Sequence, residues 1–314
     1  MNYFPQIQTK EDFEANFHSK IWLEAAKEIC RKHRVSFDKI KRAGGSEHIV
    51  FLIDEKFVLK IYKPFRNCFE RETKSLEFVG GKTDFVIPEI VYTGEFENFP
   101  YVLMTQLAGD SMTRADWLKI PEKVQSEFIS KLAVGLKQIH ALSAESFEND
   151  WAEFVKDRAE KFIERQIAHG VNKRVLKALP KYIEENLSLV PINEKAVFMH
   201  ADVHFGNLRV LNSNGKLQVA GLFDFADSRV GFHEYEFLAI GVLMIQGQGN
   251  LQREFLKSYG YAEKDLDEKM RKRLMMLTML YETADLRRYA MRLKPEAVEF
   301  SLDELERGIW SFAK

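Results

Sequence analysis

The chain is expected to be an α+β protein of two lobes, a small antiparallel β-sheet lobe holding one helix, followed by a larger and mainly helical lobe. Three observations predict this. Short β-prone apolar runs crowd residues 37–104 around a single helical stripe. From about residue 110 onward the apolar residues recur mostly at helical spacing. One hairpin pattern interrupts that helical part, between residues 196 and 223. On these patterns the chain divides into an N-terminal helical extension over 1–34, a β-rich lobe over 35–105 and a helical lobe over 106–314.

The elements follow in order. Residues 19–33 carry Ile21, Trp22, Ala25 and Ile29 at helical spacing. Ile49 to Ile53 and Phe57 to Tyr62 are strands, and in the second Phe57, Leu59 and Ile61 take one face while Lys60 shares the other with Val58 and Tyr62. A lysine there either snorkels at a sheet edge or is aimed at an anion. The helix over 67–79 bears Phe69, Leu76 and Val79 as its apolar stripe, with Thr73 beside it. Glu72 falls on that same stripe, whereas Glu70 and Glu77 fall outside it. An inward carboxylate costs several kcal/mol, roughly, unless a cation meets it, and Lys60 is the cation available. Tyr101 to Gly109 has the character of a last strand running into a connection.

Past that connection, Pro121 to Leu142 is expected to be a helix with Val124, Phe128, Leu132, Leu136 and Ile139 inward and His140 as a packing residue. Residues 151–190 read as charged helix broken or kinked at Pro180. C-terminal helices are expected around 268–292, with Leu274, Leu277 and Tyr281 buried. Beside them run Thr278, Glu282, Asp285 and Tyr289 at i, i+4, i+7 and i+11. Two acids flanked by aromatics would suit an ammonium-bearing ligand. The same spacing also allows Asp285 to pair with Arg288 on a solvated face.

Bulk properties narrow the function. Hydrophobic content of 46% with 30% charged residues suits a soluble globular chain. A net charge of −1 offers no basic field for nucleic acid. Cys30 and Cys68 cannot build a disulfide framework and suit a reducing cytoplasm. The first residues, Met1 to Pro5, lack the basic and apolar regions of a signal peptide. The apolar run from Phe237 to Ile245 is too short to span a bilayer. A cytoplasmic protein without a membrane or nucleic-acid partner is expected.

The chemistry concentrates in His200-Ala201-Asp202-Val203-His204-Phe205-Gly206-Asn207 and in Asp224 of Phe223-Asp224-Phe225. A strand over 196–199 leads into the loop and Leu208 to Leu211 leads out. Asn212 to Gly215 forms a turn, and Leu217 to Phe223 returns to Asp224. That arrangement should bring Asp202 and Asp224 to one end of a small sheet with Asn207 between them. Phosphoryl transfer needs a carboxylate to orient and deprotonate the attacking hydroxyl, and an amide oxygen with a second carboxylate to hold Mg²⁺ on the phosphates. Asp202 and Asn207 stand five residues apart, the separation of the catalytic Asp and metal-binding Asn in kinase catalytic loops. Asp202 is the candidate base, and Asn207 and Asp224 are the candidate metal ligands. His200 and His204 read as structural, bonding the loop backbone.

This loop resembles the His-Gly-Asp-Leu-His-Pro-Gly-Asn loop of the aminoglycoside phosphotransferase family, with Ala201, Val203 and Phe205 replacing Gly, Leu and Pro. Gly231 to Glu236 resembles that family's Gly-Asp-Pro-x-x-Asp, with Glu236 for the last Asp and without the Asp-Pro. Ile21 to Glu24, the Phe223-Asp224-Phe225 wording and Leu280-Tyr281-Glu282 look most like its hygromycin-type branch. The resemblance implies a protein-kinase-like bilobal fold and transfer of the γ-phosphate of ATP, or of GTP, to a hydroxyl of a small cationic acceptor. It implies that Lys60 paired with Glu72 meets the α- and β-phosphates, that backbone groups of Gln106 to Ala108 hold the nucleobase, and that Met104 lines its pocket. Gly45 and Ser46 are candidates for phosphate contact, although paired glycines before a strand also make ordinary turns. Asp227, Glu282 and Asp285 are the acidic candidates for the acceptor. A metabolic kinase for choline, homoserine or an amino sugar would share every catalytic residue. An inactive nucleotide-binding module is the alternative from another class, though such modules tend to lose one of these residues.

Overall fold

The computed structural model describes residues 7, 9–213, 216–295 and 299–312. It resolves two compact units, one comprising residues 1–82, 86–108 and 221–227, the other residues 83–85, 109–220 and 228–314.

In the first unit the helices α1 (Lys10–Asn16) and α2 (Ile21–Lys32) precede the strands β1 (Ile40–Arg42), β2 (Ile49–Ile53) and β3 (Phe57–Ile61). Helix α3 (Cys68–Val79) follows, then β4 (Ile90–Phe96) and β5 (Phe99–Thr105). The strands form one antiparallel sheet in the order β1-β2-β3-β5-β4, with Lys60 opposite Val50 on one side and Val102 on the other. Strand alternation sorts the residues. Leu59 and Ile61 join Ile49, Phe51, Ile53, Tyr101 and Leu103 in a core closed by Trp22, Ala25, Ala26, Ile29 and Cys30 of α2. The helices before residue 34 are therefore part of the sheet's own core. Lys60 faces the other way, toward α3. Thr9 caps α1 in a reciprocal capping box with Asp12, which fixes where that helix starts.

The second unit begins its helices with α4 (Arg114–Trp117), α5 (Glu122–His140), α6 (Trp151–Ala168) and α7 (Lys173–Asn186), the last containing Pro180. Strands β6 (Val197–Met199), β7 (Leu208–Ser213), β8 (Lys216–Leu222) and β9 (Arg229–Gly231) come next, with the end of β8 belonging to the first unit. The strand before the loop does not join the hairpin, as the sequence suggested. β6 pairs with β9, while β7 and β8 pair with each other. Asn214 and Gly215 of the expected turn lie outside the described residues.

Helix α8 (Phe237–Ala239) runs into a π-helical segment over Ile240–Ile245, closed by Gln246, whose N–H bonds the carbonyl of Gly241. Then come α9 (Gly249–Tyr259), α10 (Glu268–Leu280), α11 (Leu286–Leu293) and α12 (Leu302–Ile309). Helix α10 is buried over nearly its whole circumference from Leu274 to Leu280, as befits a central helix. The row expected at helical spacing from Thr278 to Tyr289 does not lie on one helix. Helix α10 ends at Leu280, and Asp285 starts a new helix by accepting the N–H of Arg288. No helix among the described residues is long and apolar enough to cross a membrane.

Candidate active site

Each unit holds one group of the expected residues. In the first, Lys60 Nζ lies 2.6 Å from Glu72 Oε2 and 2.7 Å from Asp224 Oδ1. Tyr62 adds its hydroxyl to Glu72 at 2.6 Å. Strand register puts Lys60 on the α3 side of the sheet, and the helical period puts Glu72 opposite it. Both are buried, so neither charge is tolerable without the other. Burial disfavours the ammonium, but the carboxylates of Asp224 and Glu72 outweigh burial and hold Lys60 above the ordinary lysine range. An ammonium has three donors, and two are committed here, which leaves one for a phosphate oxygen. Asp224 has a left-handed backbone, φ +68°, uncommon for any residue other than glycine.

Gly45 also adopts positive φ, +78°, and no atom lies within 4 Å of where a Cβ would stand. The backbone there is open to a close-approaching group. Met104 is buried on β5, opposite Val58. Gln106 donates its N–H to the carbonyl of Lys56, so the expected nucleobase contacts reduce to its carbonyl and the backbone of Leu107 and Ala108. Asp227 lies 3.4 Å from Arg66 in a part-exposed ion pair.

In the second unit the loop after β6 is built around Asp202. Glu236 accepts the N–H groups of His200 at 2.7 Å and Ala201 at 2.8 Å, tying down the loop's entry. Glu234, also buried, takes Arg273 through two 2.6 Å bonds and the Tyr261 hydroxyl at 2.6 Å. Ala201 turns through left-handed φ, +67°. His200 Nδ1 accepts the Asp202 N–H, and His204 Nδ1 accepts the Gly206 N–H. Both histidines bond the loop backbone as expected. A Cβ on Gly206 would fall 2.6 Å from the His204 ring, so glycine is required there.

The Asp202 carboxylate is held on both oxygens. Asn207 Nδ2 donates to Oδ2 and to the Asp202 carbonyl, each at 2.9 Å, and His204 Nε2 lies 3.3 Å from Oδ2. Tyr281 donates its hydroxyl to Oδ1. Burial, and then the Asp202 charge, raise the Tyr281 phenol well above its ordinary range, so it remains a donor. The sequence placed Tyr281 only in a buried stripe. Its position one residue past the end of α10 is what frees the hydroxyl to reach the loop.

The acidic candidates for the acceptor do not form one row. Glu282 stands 3.5 Å from Arg158, and Asp285 caps α11. Thr278 and Tyr289 are buried, on different helices. The Asp285–Arg288 pairing anticipated from spacing is realised through the Arg288 backbone N–H rather than its guanidinium. Beside the loop that carries Asp202, a pocket of about 480 Å³ is lined by His204, Phe205, Arg114, Tyr289, Arg288 and Arg292 among others. Of these arginines the sequence singled out only Arg288, as a surface partner of Asp285.

Asn207 offers an amide oxygen and Asp224 a carboxylate, donor types that suit Mg²⁺. With its Nδ2 committed to Asp202, Asn207 keeps its oxygen available as a ligand. A second group of donors, Glu47, His48 and Cys68, lies within 4.8 Å of one another, but Glu47 is already engaged by Lys63 at 2.6 Å and Arg66 at 3.2 Å.

A model of the phosphotransferase enzyme family matches residues 40–272. Among solved structures, the GDP complex of wild-type aminoglycoside 2'-phosphotransferase-IIIa shares the fold with a TM-score of 0.69 at 16% identity, over 91% of this chain and 95% of that one. A thermostable mutant of aminoglycoside phosphotransferase APH(4)-Ia gives 0.60 at 17% identity, over 91% and 96%. The streptomycin–ATP–APH(2")-IIa ternary complex gives 0.58 at 19% identity, over 93% and 98%. A search of curated protein sequences gives no match.

Proposed function

This chain belongs to the phosphotransferase enzyme family, and on that premise we propose that it transfers the γ-phosphate of ATP to a hydroxyl group of a small molecule. GTP is the alternative donor, since the similar structures include complexes with GDP and with ATP. The observation that carries the proposal is the Asp202 carboxylate, oriented by Asn207, His204 and Tyr281 in a loop pinned by Glu236. Such a fixed carboxylate suits a base that must meet one hydroxyl in one geometry.

In this reading Asp202 accepts the proton of the acceptor hydroxyl as its oxygen bonds to the γ-phosphorus. The bond from that phosphorus to the β-phosphate oxygen breaks, and ADP leaves. Lys60, fixed by Glu72, steadies the α- and β-phosphates. Gly45 and Ser46 would offer backbone N–H groups to phosphate oxygens. Asn207 and Asp224 would hold Mg²⁺, which when bound neutralises charge on the phosphates. Asp202 acts on the acceptor hydroxyl and Lys60 on the nucleotide, so the two roles separate in an assay.

Asp202→Ala should lower turnover by about a thousandfold or more while leaving nucleotide affinity within about twofold. Coupled ADP release and nucleotide titration measure the two. Turnover near wild type would remove Asp202 as the base. An aminoglycoside-like acceptor, of hygromycin type in its narrowest form, is what the resemblance suggests for the substrate. Aminoglycosides are also named in the similar structures, streptomycin and kanamycin among them. The separate engagements of Asp227, Glu282 and Asp285 give that acceptor little support from this chain's own residues.

A further inference from the structure

The pocket next to His204 carries cations where a polycationic acceptor would need carboxylates. Arg288 and Arg292 stand four residues apart on α11, hence on one face, and both line the pocket with Arg114. Neither Arg288 nor Arg292 meets a carboxylate among the described residues. Like charges at this spacing repel, so the pair costs stability unless something else gathers it. Arg114 spends its guanidinium on the carbonyls of Met244 at 2.7 Å and Ile245 at 3.5 Å and on Gln246 at 3.1 Å. These neutral partners satisfy its hydrogen bonds and leave its charge uncancelled. Asp285, whose charge reaches Arg292, is committed to capping α11. Among the described lining residues none is acidic.

We propose that the acceptor carries an anionic group, a carboxylate or a phosphate ester, which Arg288 and Arg292 bind while its hydroxyl is presented to Asp202. The inference rests on the kinase reading above and names its substrate class. The pocket wall itself makes the link, because His204 lines it and its Nε2 lies 3.3 Å from Asp202 Oδ2. Arginine suits the task, since its planar fork meets either anion through two parallel bonds. The reaction is unchanged in its balance. The acceptor oxygen gains the phosphoryl group, its proton passes to Asp202, and ADP departs with the electron pair of the broken bond.

The test is ADP release by the full chain with paired acceptors that differ in charge: glycerol and glycerate, ribose and ribose 5-phosphate, with kanamycin and choline alongside. The anionic member of a pair should be turned over with kcat/KM at least about tenfold higher, the worth of one charge-assisted hydrogen bond. Arg288→Glu and Arg292→Gln should each raise KM for that acceptor by about tenfold or more and leave KM for nucleotide unchanged. Both side chains reach solvent, so these variants should fold. Preference for kanamycin, choline or a neutral sugar over the anionic compounds would overturn the inference and leave the kinase reading standing. Absence of ADP release with every acceptor would remove the kinase reading, and this inference with it.

Discussion

Lys60 and the arginine pair of α11 are both cationic, yet their surroundings are opposite. Lys60 is buried and held by two carboxylates and their hydrogen bonds. Arg288 and Arg292 line a pocket with no carboxylate of the described chain to answer them. The first charge is balanced by the fold, so removing it must disturb the fold. The second makes no ion pair among the described residues and feels only the more distant charge of Asp285, so removing it should disturb a ligand far more than the fold. Charge at a site becomes informative once its counter-charge has been looked for.

The contrast can be broken most forcefully at Lys60. Lys60→Met leaves Glu72 buried without its cation and should cost about 3–5 kcal/mol of stability, measured by urea unfolding. A loss under about 1 kcal/mol would mean that the buried pair is not what holds these elements.

A second test uses pH on the same unit. His48 is buried, and its ring nitrogens have no hydrogen-bond partner. Burial first, and then the Lys60 charge, lower its pKa to about 3 from 6.5. The unfolded chain therefore binds a proton below pH 6.5 that the native chain refuses until about pH 3. Stability present above pH 6.5 is lost as pH falls through that window, by about 2 kcal/mol at pH 5. Unfolding midpoints of wild type and His48→Leu between pH 5 and 7.5 check this. Parallel profiles would show that His48 is charged in the fold.

Tyr281→Phe sharpens the comparison on the catalytic side. It removes one donor from Asp202 and keeps the ring, so kcat should fall by about tenfold with both KM values unchanged. A rise in acceptor KM instead would make Tyr281 a substrate contact rather than a positioning residue. The smallest effect belongs to the arginines. Arg288→Gln should change stability by no more than about 0.5 kcal/mol, and in the stabilising direction if i,i+4 repulsion is felt. A loss of several kcal/mol would reveal a structural partner and end the contrast with Lys60.

The parts that were legible in the sequence are those whose chemistry is local or periodic. Strand alternation and helical period sufficed to pair Lys60 with Glu72, and the spacing from Asp202 to Asn207 was enough to mark the loop. The break after Leu280 was not legible, because Tyr281 to Asp285 continues a helical pattern while Asp285 acts as a cap. That one break misplaced the acidic row and hid the Tyr281 contact. β6 found β9 rather than the hairpin because pairing between distant strands leaves no periodic trace. Arg288 read only as a surface partner of Asp285, and Arg292 not at all, because a charged residue on a helix reads as solvated until a pocket forms beside it.

The π-helical turn over Ile240–Ile245 carries one more residue per turn of hydrogen bonding than an α-helix does. It can be regarded as an ordinary helix into which a single amino acid was inserted. Its closing carbonyls, Met244 and Ile245, are those that Arg114 grips. Deleting one residue would restore the usual ladder but rotate the following segment by about 100°. The grip would be lost with the bulge, so the length of this segment is constrained even where its side chains could vary.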